Sequence, residues 1–407
     1  MEQTPAVALF FALGMILLAS RLGGALARWL GQPRVLGELI VGVVLGPTAL
    51  DLLHSPLLGG INLQVTITQL AELGVLLLMF IIGLEVNIGE LAQLGRLAGT
   101  AGVFGSLATV ILSVGIALAF GYGWQPALFT GVALAATSVS ISAQVLLELG
   151  LLRTKIGSAL LATSLIDDVL ALLLVSIAIA LNRGSGGAAD LGSLGLVIVR
   201  MMLYIGAAFA LAWLILPRLI HWLDTQPSLK QSYGIPAVAL LLALLFGWTA
   251  ETLGGVAAIT GAFIAGVGFS RARDQVRHEI EAASSSIAYT LLVPIFFINV
   301  GLATNLRLFP LDALPLALLL FVFALIAKVV GCGLGARFNG FSGREALQLG
   351  VCMIPRGEVG LIVASLGLTV GVFKADQPLY TALFLVIVLT PIITPLLVRQ
   401  VFREANP

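Results

Sequence analysis

The chain has 407 residues, of which 59% are hydrophobic and 10% charged, and its formal net charge is +1. Soluble domains carry roughly 25% charged residues, so this composition excludes a soluble domain of any size; a charge so close to zero also excludes a nucleic-acid-binding surface. What remains is an all-α polytopic membrane protein, because nearly the whole chain is consumed by apolar stretches of spanning length.

The first of these, from Pro5 to Ser20, has neither a basic start nor a small-residue cleavage site, and it reads as a retained helix instead of a signal peptide. Further segments begin near residues 34, 68, 98, 125 and 153. A long one runs from about Ser193 to Ile220, and others begin near 235, 255, 283, 308, 345 and 377, about 13 spans in all. Arg21, Arg28 and Arg34, then Arg153 and Lys155, then Arg271, Arg273 and Arg277 fall in alternate loops, whereas Arg183, Arg307 and Lys374 fall in the others. The positive-inside rule makes the first set cytoplasmic, with the N-terminus outside and the C-terminus in the cytoplasm. Cys332 and Cys352 lack metal-ligand spacing and read as small packed thiols.

The chain repeats itself weakly. Leu78-Met79-Phe80-Ile81-Ile82-Gly83-Leu84 resembles Ile295-Phe296-Phe297-Ile298-Asn299-Val300-Gly301-Leu302, and Leu149-Gly150-Leu151 resembles Leu366-Gly367-Leu368, at an offset of about 218 residues. That offset sets Thr137-Ser138-Val139-Ser140 against Pro355-Arg356-Gly357-Glu358. Six helices separate the start of the first copy from the linker helix, so the two copies insert with opposite topology, as in secondary transporters, whose sites form where paired discontinuous helices meet near the bilayer midplane. Thr137, Ser138, Ser140 and Ser142 mark one expected break, and Pro355 and Gly357 the other.

Three charges stand inside apolar segments, where each costs about 3 kcal/mol or more unless compensated: Asp167, Asp168 and Lys328. Adjacent helical residues point about 100° apart, so neighbouring carboxylates can face different partners. One assembly pairs Lys328 with Asp167 and leaves Asp168 facing a water-filled cavity near the Thr137/Ser138 break, where hydroxyls and unwound carbonyls suit a dehydrated alkali cation. Desolvation favours the protonated carboxyl and a bound cation favours the ionised one, so cation and proton compete for one site. The alternative is a buried ion-pair network that only fixes packing. For Arg356 and Glu358, a structural ion pair at the second break and a transport role both stand open. Glu38, Glu72, Glu85, Glu148 and Glu251 lie near segment ends and read as interfacial, and Arg200, with no obvious partner, as snorkelling. An intramembrane aspartyl protease would need two converging carboxylates, which neighbours on one helix do not provide. A passive cation channel would use the same polar breaks.

Ala136-Thr137-Ser138-Val139-Ser140-Ile141, Ile166-Asp167-Asp168-Val169-Leu170, Ala327-Lys328-Val329-Val330-Gly331 and Pro355-Arg356-Gly357-Glu358-Val359-Gly360-Leu361, in that order and spacing, resemble the second cation:proton antiporter family along nearly the whole chain. The likeness is greatest to bacterial sodium/proton antiporters with a paired aspartate and more distant to glutathione-gated potassium efflux systems. It implies 13 helices with two crossed broken ones and a homodimer with an elevator-like movement, in a bacterial-type inner or plasma membrane or an internal one. It also implies a dimerisation domain from residues 1–96 and 231–306, an ion-transporting core from 97–190 and 307–407, and a linker helix at 191–230. By the same resemblance Asp168 is the cation- and proton-binding carboxylate, Asp167 the partner of Lys328, and Thr137 and Ser138 part of the cation site. Exchange of sodium, alternatively potassium, for protons is expected to be electrogenic. No cofactor is expected, and with no G-x-G-x-x-G after a strand, nucleotide regulation is not expected either.

Overall fold

The computed structural model describes residues 4–55, 58, 61–86, 93–183, 191–225, 233–305, 307, 310–374 and 377–403; within these, the side chains at 176, 179–183, 191–194 and 358 are outside the description. Among the described residues there is no strand. The helices in chain order are α1 (Pro5–Trp29), α2 (Arg34–Leu45), α3 (Gln64–Glu85), α4 (Gly95–Ala119), α5 (Trp124–Ala135), α6 (Val139–Glu148), α7 (Lys155–Arg183), α8 (Leu191–Leu214) and α9 (Leu216–Asp224). They continue with α10 (Gly234–Thr249), α11 (Ala258–Phe269), α12 (Asp274–Ile287), α13 (Val293–Leu302), α14 (Leu314–Phe338), α15 (Gly343–Cys352), α16 (Glu358–Thr369) and α17 (Pro378–Arg403).

Among the described residues ten segments are long and apolar enough to cross a membrane, with α5 and α6, α8 and α9, and α12 and α13 each joined into one. The short helices α2 and α11 and the interrupted pair α15 and α16 account for the other segments expected from the sequence. One boundary differs clearly. The segment expected near residue 283 starts at Asp274, because its first turns are polar and bury only the stripe Val276, Ile280 and Ser284, which average hydropathy does not register.

The weak sequence repeat is a structural one. Gly83 of α3 packs on Gly266 of α11, a Cβ on either meeting the other's backbone at 3.0 Å or less, and Gly301 of α13 packs in the same way on Gly42 of α2. Gly37 of α2 abuts the carbonyl of Gly23 and the Ala27 methyl, as Gly261 of α11 abuts the carbonyl of Phe246 and the Ala250 methyl. A Cβ on Gly131 of α5 would stand 3.0 Å from the Val110 carbonyl oxygen and one on Gly350 of α15 would stand 2.5 Å from the Val329 carbonyl oxygen, the two pairs lying about 219 residues apart. Small residues at these points let backbones approach closely where lipid supplies no hydrophobic drive for association. Gly350→Leu is therefore expected to lower stability by about 1–3 kcal/mol through overpacking. Gly206→Leu, where a Cβ meets nothing within 4 Å, is expected to leave the thermal transition of the detergent-solubilised protein unchanged.

The chain sorts into two compact units, one from the described residues of Met1–Ser20, Leu53–Glu90 and Gly195–Asn299, the other from those of Arg21–Leu52, Leu91–Leu194 and Val300–Pro407. Residues 21–52, grouped by the sequence reading with the rest of 1–96, thus belong with the second unit. Its ties there are specific: besides Gly42 on Gly301, Thr48 Oγ1 donates to the Thr304 carbonyl at 2.8 Å, and Glu148 Oε2 accepts the Arg34 N–H at 2.7 Å. In the first unit, Arg200 donates from Nε to the Leu253 carbonyl and from Nη2 to the Thr252 carbonyl. It therefore caps a helix end whose carbonyls lack partners instead of merely snorkelling.

Candidate functional site

The site is assembled in the second unit around the crossing of α4 and α14. A Cβ on Gly331 would stand 2.5 Å from the Phe104 carbonyl oxygen and 2.8 Å from the Gly105 Cα, and one on Gly335 would stand 2.5 Å from the Ala101 Cα. The four-residue spacing of small residues on both helices brings their backbones together. This close approach sets Lys328 beside Ser106, with the lysine stem against Gly105.

Lys328 is 0% exposed and Asp167 of α7 is 1% exposed. The Lys328 ammonium donates to Asp167 Oδ1 at 2.9 Å and Oδ2 at 3.0 Å, and to the Ala135 carbonyl at 2.9 Å. Ser106 Oγ donates to Asp167 Oδ1 at 2.5 Å. A buried ion pair survives only when both charges are fully hydrogen-bonded, and these bonds supply that. An aspartyl dyad sharing one proton is incompatible with the arrangement, since an ammonium occupies both oxygens of Asp167.

The expected breaks are both present and touch. The chain leaves helical geometry between Ala135 and Val139, where Ala136 and Ser138 are extended, and again between Cys352 and Glu358. The Ser138 N–H donates to the Pro355 carbonyl at 2.8 Å, and Ser142 Oγ donates to the Cys352 carbonyl at 2.6 Å. A Cβ on Gly357 would stand 2.6 Å from the Ser138 Cβ, so only glycine permits this crossing. Each half-helix that ends here meets a cation at its negative, carbonyl end: Lys328 at Ala135 of α5, and Arg356 at Met353 just past α15.

Arg356 is 0% exposed. Its Nη1 donates to Thr137 Oγ1 at 3.4 Å and to the Met353 carbonyl at 3.3 Å, and its Nη2 to the Ala324 carbonyl at 3.3 Å. Its backbone N–H donates to Thr390 Oγ1 at 3.0 Å. That threonine also donates to the Ile387 carbonyl at 3.2 Å, the acceptor left without its helical donor by Pro391 inside α17.

Of the residues singled out in the sequence, Asp167 and Lys328 are in contact, and Thr137, Ser138 and Arg356 meet at the crossing. Asp168 is partly exposed beside fully buried Asp167. The Glu358 side chain lies outside the described residues. Glu38 and Glu148 are not bland interfacial groups: Glu38 is 2% exposed and accepts from Arg34 Nε at 2.8 Å, while Glu148 caps the first turn of α2. The sequence reading missed Ser106 and Thr390. The first was marked only by a hydroxyl next to Gly105 in an apolar segment, the second by a threonine directly before a proline within a helix.

The family described as "Sodium/hydrogen exchanger, transmembrane" matches residues 14–404. The chain belongs to this family. Among relatives of this exchanger, the Na(+)/H(+)-K(+) antiporter GerN of Bacillus cereus is 35% identical over 97% of the chain and 96% of its own length. The Na(+)/H(+) antiporter of Enterococcus hirae is 32% identical over 96% of the chain and 97% of its own. A solved structure of the sodium proton antiporter MjNhaP1 from Methanocaldococcus jannaschii superposes on the exchanger with a TM-score of 0.73. At 18% identity, covering 99% of this chain and 97% of that one, it shares the fold. The family read from the four motifs is thus the family found, and the all-helical fold with it.

Proposed function

We propose that the protein exchanges a monovalent cation, sodium first of all, for protons across a membrane by alternating access. One observation carries this reading: of two adjacent aspartates on α7, Asp167 is paired with Lys328, which also reaches the Ala135 carbonyl at the first break, while Asp168 is partly exposed. Asp168 takes either a cation or a proton, and the hydroxyls and unwound carbonyls around Thr137 and Ser138 complete the cation's oxygen shell. Because both ligands need the same carboxylate, each leaves when the other binds, and coupling requires no long-range pathway. The names of GerN and of the Enterococcus hirae relative support sodium/proton exchange.

The remaining features follow from the family resemblance: electrogenic exchange, a homodimer, a bacterial-type inner or plasma membrane with a cytoplasmic C-terminus, and elevator-like movement. In this scheme the second unit carries the ion and the first holds the dimer. A second reading, potassium/proton exchange, has one specific support, the potassium in the name of GerN.

Proteoliposomes with an imposed pH gradient test the function. The wild-type protein is expected to dissipate the gradient on addition of sodium, less on potassium and not on choline. A flux independent of the opposing proton gradient would instead identify a passive cation channel. On a solid-supported membrane each sodium pulse is expected to move net charge.

A further inference from the structure

Arg356 has no part in the exchange proposed above, yet it stands fully buried at the centre of the crossing. Its guanidinium is poorly satisfied. The bonds to Thr137 Oγ1, the Met353 carbonyl and the Ala324 carbonyl measure 3.3–3.4 Å, and Nε, also buried, has no partner among the described residues. Hydrogen bonds of this type centre on about 2.9–3.0 Å, so all three are stretched. Lys328, by comparison, is held at 2.9–3.0 Å by a carboxylate and a carbonyl. A buried donor without an acceptor is rare enough to call for a reason.

The reason lies in what Arg356 shares. Thr137 Oγ1 is the hydroxyl placed in the cation site, and it already accepts a bond from a permanent positive charge. An alkali ion arriving there must share that oxygen with the guanidinium or displace it, and two like charges on one oxygen repel strongly at low dielectric. We propose that Arg356 is a specificity-determining residue: a tethered cation, never transported, that occupies Thr137 while the ion is absent and opposes the ion's arrival, holding the site's affinity low. Transport needs binding favourable enough for entry and weak enough for release, and Arg356 supplies the second half. Its stretched bonds are those of a group that gives way.

The test compares cation-dependent exchange in proteoliposomes for wild type, Arg356→Gln and Arg356→Lys. Glutamine keeps a polar side chain without the charge; KM for sodium is expected to fall about tenfold and kcat to fall with it, because release slows. Lysine keeps the charge, and KM is expected to stay within about twofold of wild type. A purely structural role would lower kcat in both variants and leave KM alone. An Arg356→Gln KM at or above the wild-type value, or equal changes in both variants, overturns the proposal.

Should the glutamine variant not fold, the wild-type protein carries the test through the ¹⁵Nε resonance of Arg356, assigned by its absence from the Arg356→Lys spectrum. It is expected to shift on titration with sodium chloride and not with choline chloride; a resonance that ignores sodium overturns the proposal. The inference rests on the exchange reading, but the two fail separately. Absence of cation-dependent flux in wild type removes the exchange reading, whereas the KM ratio is measured with whichever monovalent cation the wild type exchanges.

Discussion

Asp168→Asn is expected to abolish cation/proton exchange, a loss of at least about 100-fold in proteoliposomes, while the protein stays folded. An asparagine amide is the size of a carboxylic acid but binds no proton and brings no countercharge to a cation, so both halves of the cycle fail together. Asp168 is partly exposed, and the Asp167–Lys328 pair beside it keeps its own bonds, to Ser106 and to the Ala135 carbonyl. The thermal transition and elution volume of Asp168→Asn should match the wild type. Exchange at the wild-type rate would show that the ion binds elsewhere.

Lys328→Ala is expected to act in the opposite way, with its main effect on stability. It removes the ammonium paired with a carboxylate that is 1% exposed and takes from the Ala135 carbonyl at the end of α5 the Lys328 donor. Breaking one side of a buried pair typically costs about 3–5 kcal/mol, because the surviving charge is stranded. The double variant Asp167→Asn with Lys328→Met removes both charges and is expected to recover most of that loss, since replacing a whole buried pair by neutral groups is often close to neutral. Denaturant or thermal unfolding of the wild type, Asp167→Asn, Lys328→Met and the double variant forms a cycle whose coupling term measures the pair directly. A coupling near zero would show that the two charges do not depend on each other. Asp167→Asn alone is expected to retain exchange with altered charge per turnover or pH dependence, the result that separates the roles of the two aspartates.

Most of the fold was legible because a membrane imposes so few solutions. An apolar run of about 20 residues has to be a helix, and its ends are marked by charge. Where that logic weakens, so did the reading. The polar start of α12 at Asp274 was missed because a solvent-facing amphipathic turn looks like a loop to any hydropathy average. Residues 21–52, placed with the rest of 1–96 by the family resemblance, have ties to Thr304, Glu148 and Gly301, which lie far away in sequence.

The candidate site divides along the same line. Asp167, Asp168, Lys328 and the two breaks stood out because charge and unwound backbone in lipid are costly enough to be conspicuous in a single sequence. Ser106 and Thr390 did not, since a hydroxyl can be satisfied by its own helix and leaves no mark until a neighbour is placed beside it.

By itself the sequence determined that this is a helical membrane protein built from an inverted repeat and that it holds a surplus of buried charge: each of these follows from the cost of polar groups in hydrocarbon, which is the same wherever the chain runs. Only the tertiary structure decided which aspartate is neutralised. Small residues at Ala101, Gly105, Gly331 and Gly335 bring two helices close enough for Lys328 to reach Asp167. The same structure placed Arg356 on Thr137, a partnership that geometry alone creates because the two residues lie in different copies of the repeat and meet only where the broken helices cross.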